Sequence, residues 1–129
     1  VDALGFLASQ ASKATIRIFG YGLAFQRHGM KCKAFGISNE EADFIDTEWY
    51  GLANSIAKEA VEEVQSTMDP RTIVDMEYID VGPYVTVGAC STEDREMNGL
   101  SSLFPGWYHP SQLGYDRYFE ALLDNLSIQ

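Results

Sequence analysis

The sequence predicts an α/β fold built on a parallel sheet, and three observations carry that prediction. Two stretches rich in β-branched residues, ATIRIFGY (14–21) and TIVDMEYIDVG (72–82), contain or end at a glycine, as strands with marked ends do. Three further stretches carry apolar residues at helical spacing. The two kinds alternate along the chain, which implies crossover connections and a parallel sheet with helices over both faces. Two strands do not make a complete parallel sheet, so they read as the last two of a larger one.

The elements follow in order. Residues 2–12 place Leu4, Leu7, Ala8 and Ala11 on one helical face. The strand over 14–21 comes next. Residues 22–45 read as a long irregular stretch with several glycines and the acidic run EEADFID; loops of that length are usually functional or pinned. A helix is expected over 47–68, with Trp49, Leu52, Ala53, Ile56, Ala60, Val61 and Val64 as its buried stripe. Asp69-Pro70 ends it, because proline cannot continue the hydrogen-bond ladder. The second strand covers 72–82, and 83–108 form another long loop. The final helix is expected from Pro110, at the first helical position where a missing N–H is tolerated. Its buried face would be Tyr115, Tyr118, Phe119, Leu122, Leu123 and Leu126.

Composition narrows the function classes. The chain has 129 residues, 46% hydrophobic and 22% charged, as expected of one ordered globular domain. Its formal net charge of −10 offers no positive surface to a nucleic-acid backbone or an anionic lipid, so neither partner is expected. No apolar run approaches the roughly 18 residues that span a bilayer, so stable membrane insertion is not expected either. The opening VDALGFLASQASKA has neither the basic start nor the long apolar core of a signal peptide. It reads as the interior of a helix, as though the chain began within a larger protein.

Open α/β sheets bind ligands beyond the carboxyl ends of their strands. Both long loops, Cys32, Cys90 and His109 are expected at that end. His109 stands at the mouth of the last helix, beside Trp107 and Tyr108, which can wall a pocket. A neutral imidazole held there can act as a general base at pH 7; the plain alternative is a capping or packing histidine. For the two cysteines, spacing leaves both readings open: two buried thiols, or one disulfide joining two loops.

The block FPGWYHPSQLGYDRYFEAL resembles the last motif of the SGNH (GDSL-type) hydrolases, in which a histidine-proline pair, a polar residue and a glycine open the C-terminal helix. IRIFGYGLAFQ is similar to a strand of that family followed by its Gly-Tyr turn. WYGLANSIAKEAV looks like its long helix, with Asn54 in a matching setting, and VDMEYIDVGPYV resembles its last strand. MKC, and GAC followed by EDREMNGL, resemble the cysteine pair that bridges two active-site loops in secreted members. The likeness covers nearly the whole chain, and the histidine block is its most specific part.

The resemblance implies that residues 1–129 are the C-terminal segment of one hydrolase domain with a three-layer α/β/α, flavodoxin-like fold. It implies a Cys32–Cys90 disulfide, an extracellular location, no metal or other cofactor, and hydrolysis of carboxylic esters of a lipid or an acylated carbohydrate. His109 would be the catalytic base, and Trp107 and Tyr108 would border the substrate.

Two departures from the family matter. Its nucleophilic serine lies in a Gly-Asp-Ser block, and its oxyanion hole draws on glycine and asparagine blocks; none of these blocks occurs here. No serine of this chain has a nucleophile-elbow context either. The nucleophile must therefore come from an N-terminal half or a second chain of the same hydrolase. The family also places an aspartate three residues before the histidine, where this chain has Gly106. The requirement is only an acceptor that fixes the imidazole tautomer. The backbone carbonyl of Gly106 fits it first and Asp94 second, whereas Asp80 suits a cap at the strand end.

Other residues carry weaker signals. A zinc site from His28, Cys32, Cys90 and a carboxylate matches no standard spacing, and the acidic runs EEADFID and STEDRE lack the spacing of a calcium loop. Asn125-Leu126-Ser127 matches the glycosylation pattern. From a different class, the chain also fits a non-catalytic α/β binding or interaction module derived from the same fold. A flavodoxin-like anion binder is disfavoured, because no glycine-rich phosphate loop joins a strand to a helix.

Overall fold

The computed structural model describes residues 2–10, 14–25, 37–67, 75–90, 95–97 and 109–127. Its elements are α1 (Asp2–Gln10), β1 (Thr15–Phe19), α2 (Asn39–Phe44), a π-helical turn (Ile45–Trp49), α3 (Tyr50–Thr67), β2 (Asp75–Ile79) and α4 (Gln112–Ser127). The two strands pair in parallel, from Thr15↔Asp75 to Phe19↔Ile79. The expected helix–strand alternation and the parallel pairing are therefore present.

Side chains on successive strand residues point to opposite faces, and this alternation divides the core. On one face Ile16, Ile18, Met76 and Tyr78 pack with Leu4 and Ala8 of α1 and with Val61 and Val64 of α3. On the other, Phe19 and Ile79 pack with Tyr118, Ala121 and Leu122 of α4 and with Val81, Val85, Ala89 and Met97. Full burial of a Val or Met side chain is worth about 1.5–3 kcal/mol, so Val61, Val64 and Met76 anchor the first layer. Opposite Glu77 in the register, the Arg17 side chain is 8% exposed and donates to Asp75 Oδ2 at 2.9 Å, with Glu77 Oε2 at 3.5 Å. That hydrogen bond from Arg17 is the first cause holding the Asp75 carboxyl below its ordinary pKa.

Three expectations are corrected. Part of the presumed loop over 22–45 is α2, which begins at a capping box: Ser38 Oγ accepts the Glu41 N–H, and Glu41 Oε2 accepts the Ser38 N–H. The backbone stays right-handed helical through Phe44, Ile45 and Tyr50, so one helical run reaches Thr67 with a π turn inside it. Second, Pro110 is not at the first helical position. It pairs with Met97 in an isolated antiparallel bridge, and Ser111 caps α4 instead, its Oγ accepting the Gly114 N–H at 3.2 Å.

The third correction concerns the apolar stripes. Trp49, Leu52 and Ile56 are 57–60% exposed, as are Tyr115 and Phe119 at 57% and 59%. Leu123 and Leu126 are also exposed. Periodicity identifies the apolar face of a helix but not what covers it. A two-stranded sheet is too narrow to cover these faces among the described residues.

Candidate functional site

Hydrogen bonds extend the sheet past its last paired residues. Gly20 N–H donates to Ile79 O at 2.9 Å, Leu23 N–H to Val85 O at 3.2 Å, and Ala89 N–H to Ala24 O at 2.7 Å. The segments following β1 and β2 thus run alongside each other beyond the carboxyl ends of the strands. Two side chains fix the first of them. Asn54 of α3 donates to Tyr21 O at 2.9 Å and accepts the Tyr21 N–H at 2.7 Å. Asp46, in the π turn, accepts the Ala24 and Phe25 N–H groups at 2.9–3.1 Å. Just before these contacts, a Cβ on Gly20 would meet the Tyr78 hydroxyl, which would have to shift.

The second segment is organised by Glu96, a carboxylate only 3% exposed. Its Oε2 accepts the N–H groups of Thr86 at 2.6 Å and Val87 at 2.8 Å, and its Oε1 accepts from Arg117 Nε at 3.0 Å. Its own N–H donates to Val87 O, and its carbonyl accepts the Ser111 N–H at 2.8 Å. Ser111 Oγ donates to Arg95 O. The carboxylates of Glu120 and, after it, Glu96 raise the Arg117 guanidinium further above its ordinary pKa. One buried acid therefore joins the segment after β2 to the entry of α4. Buried charges of this kind are stable only when fully hydrogen-bonded and paired.

The orientation of α4 locates His109. The Tyr118 hydroxyl donates to Gly20 O, past the end of β1, at 3.3 Å. One to two turns further along, Asn125 Nδ2 donates to Glu77 Oε1, in the middle of β2, at 2.7 Å. The helix thus runs antiparallel to the strands, with its N-terminus on the side of their carboxyl ends. His109 precedes it by three residues, next to the Met97–Pro110 bridge, and its side chain is exposed.

The remaining expected site residues divide into those described and those not. Gly106, Asp94, Trp107, Tyr108, Cys32 and His28 lie outside the described residues. Cys90 is 1% exposed, packs with Ala24, Phe25 and Ala42, and does not present a free thiol. Asp80 accepts the Gly82 N–H at 2.9 Å and caps the turn after β2. The amide of Asn125 is engaged with the sheet rather than free for a glycan. No cluster of metal-ligating side chains occurs among the described residues, and no helix among them is long and apolar enough to cross a membrane.

Among the described residues, five serine hydroxyls are engaged in hydrogen bonds. Ser9 donates to Phe6 O, Ser55 to Glu59, Ser66 to Glu63 O and Ser111 to Arg95 O, and Ser38 caps α2. Sequence reasoning missed Asp46 and Glu96, which both sit in acidic runs resembling solvated surface. It also missed an apolar hollow of about 390 Å³ lined by Phe25, Ile37, Phe44, Ile45, Trp49 and Tyr50. Tyr50 stacks on Tyr21 at 5.2 Å beside it, and such a lining suits an aliphatic or aromatic group. No protein-family model, curated protein or solved structure matches the chain.

Proposed function

We propose that the chain is the histidine-bearing part of an SGNH-type serine esterase or lipase with a three-layer α/β/α fold. Its nucleophile would come from a segment or chain not included here. The observation that carries this reading is the exposed His109 just before α4, on the carboxyl side of a parallel sheet. The exposed apolar stripes of α3 and α4, together with a sheet of only two strands among the described residues, support completion by further strands and helices.

In the completed site, His109 takes the proton of a serine hydroxyl as its oxygen attacks the ester carbonyl. Hydrogen-bond donors of the other segment hold the oxyanion, usually the largest electrostatic contribution. The imidazolium then protonates the leaving alcohol, and water repeats the sequence to free the acid. The Gly106 carbonyl, with Asp94 as second choice, would hold the tautomer, Trp107 and Tyr108 would border the ester, and a Cys32–Cys90 disulfide would join the two loops in an extracellular protein.

The test compares p-nitrophenyl acetate turnover by this chain with turnover by the longest polypeptide encoded in frame with it. The chain alone is expected to be inert and the longer protein active, with His109→Ala abolishing turnover at an unchanged melting temperature. Turnover that survives His109→Ala overturns the assignment. An inert longer protein would leave the second reading, a binding module, which the apolar hollow beside Trp49 and Tyr50 favours.

A further inference from the structure

We infer that Glu96 is the positioning residue of His109: this buried carboxylate sets where the imidazole stands above the sheet. The inference deepens the esterase reading and rests on it only for the role of His109, not for the geometry. Glu96 grips two backbone N–H groups of the segment after β2 with one oxygen and Arg117 of α4 with the other. Its carbonyl holds the Ser111 N–H, and Ser111 Oγ holds Arg95 O. The neighbouring residue Met97 bridges Pro110. The residues on the C-terminal side of His109 are therefore tied, within two positions, to an acid that is itself anchored to the sheet's carboxyl end.

The sequence accommodates this grip at a specific place. Gly114, in the first turn of α4, is buried, and a Cβ there would overlap the Glu96 carbonyl oxygen. A glycine in the first turn of the last helix is thus explained by the approach of Glu96 rather than by helix formation, which glycine opposes. A side chain such as His109, exposed and outside any helix or strand, has no other described device to restrict it. A displacement of about 1 Å in a catalytic group can cost about a hundredfold in rate, so a brace on the residues that follow His109 has a kinetic consequence.

The experiment is read first on the imidazole, in this chain, without any activity measurement. The His109 ring resonance, assigned with His109→Ala, is compared by NMR in the wild type and in Glu96→Gln, at a temperature well below both melting points. The amide Gln is isosteric but cannot accept from Arg117 Nε and from both N–H groups as the carboxylate does. The expected result is a shifted or split His109 resonance and about tenfold faster exchange of the Ser111 amide. Val61→Ala, a core truncation beneath the opposite face of the sheet, should lower the melting temperature without moving the His109 resonance.

If Glu96→Gln does not fold, Arg117→Gln keeps the test, since Arg117 is partly exposed and its loss should shift the same resonance in the same direction. An unchanged His109 resonance in whichever of these variants folds overturns the proposal, as does an equal response to Val61→Ala. In the longer protein, Glu96→Gln should lower kcat while KM stays within about twofold, the pattern of lost transition-state alignment. A perturbed imidazole in a protein with no ester turnover at all would leave the brace standing and remove the esterase reading.

Discussion

Gly114→Ala is the sharpest test of the packing that surrounds the candidate site. In an exposed helix interior, replacing glycine by alanine stabilises by about 1 kcal/mol, because glycine loses the most backbone freedom on folding. At Gly114 the added Cβ overlaps the Glu96 carbonyl oxygen and lies 3.0 Å from both its carbon and Pro110 Cβ. The opposing oxygen and carbon are backbone atoms and cannot rotate away. Relief requires Glu96 to move, which strains its bond from Ser111 and the grip of its carboxylate. Overpacking of this kind costs about 1–3 kcal/mol, and a lost hydrogen bond about 1 kcal/mol more. After subtracting the helix gain, the net expectation is a loss of about 1–3 kcal/mol.

Gly51 supplies the control, since it lies in α3 with no atom within 4 Å of the added carbon. Gly51→Ala should therefore stabilise by about 1 kcal/mol. Urea unfolding of both variants and the wild type at pH 7, followed by circular dichroism, separates them. With slopes of about 1–3 kcal/mol/M, the two midpoints should differ by roughly 1–2 M in opposite directions from the wild type. If Gly114→Ala raises the midpoint as Gly51→Ala does, Glu96 does not approach α4 closely and the brace on His109 is lost with it.

Further expectations concern charge and sulfur. The pKa of Asp75 is lowered, first by the hydrogen bond from Arg17, so its contribution is complete above the unfolded value of about 3.9 and is lost as pH falls through the folded value. Asp75→Asn should thus destabilise at pH 7, by no more than about 1 kcal/mol because its side chain is half exposed, and the difference from wild type should shrink as pH falls through the folded value. A difference that persists undiminished in acid contradicts that pairing. Thiol titration of the denatured, unreduced chain should find no free cysteine, and reduction should cost about 4 kcal/mol on the loop-entropy estimate. Two titratable thiols would remove the proposed Cys32–Cys90 disulfide and weaken the extracellular assignment.

The strands were legible because β-branched runs stopped by glycine leave few other readings, and TIRIF and DMEYI pair as parallel neighbours. The start of α2 was also written in the chain: Ser38 and Glu41 have the spacing of a capping box, hidden inside an acidic stretch that read as loop. Ser111 beside Pro110 offered the same kind of signal for α4, and the proline drew attention from it. Burial was not legible in the same way. Trp49, Leu52 and Ile56 have ideal spacing yet stay exposed, because spacing is a property of one helix and burial needs a second surface. Asp46 and Glu96 show the limit from the other side. Nothing local distinguishes the acid that turns inward to hold backbone N–H groups from its neighbours that face water.

The most direct measurement of the central claim is the rate of p-nitrophenyl acetate hydrolysis by the longer polypeptide, with and without His109→Ala. The account expects turnover in the first, none above background in the second, and melting temperatures within about 2 °C of each other, as befits an exposed side chain. Undiminished hydrolysis in the variant would contradict the role given to His109.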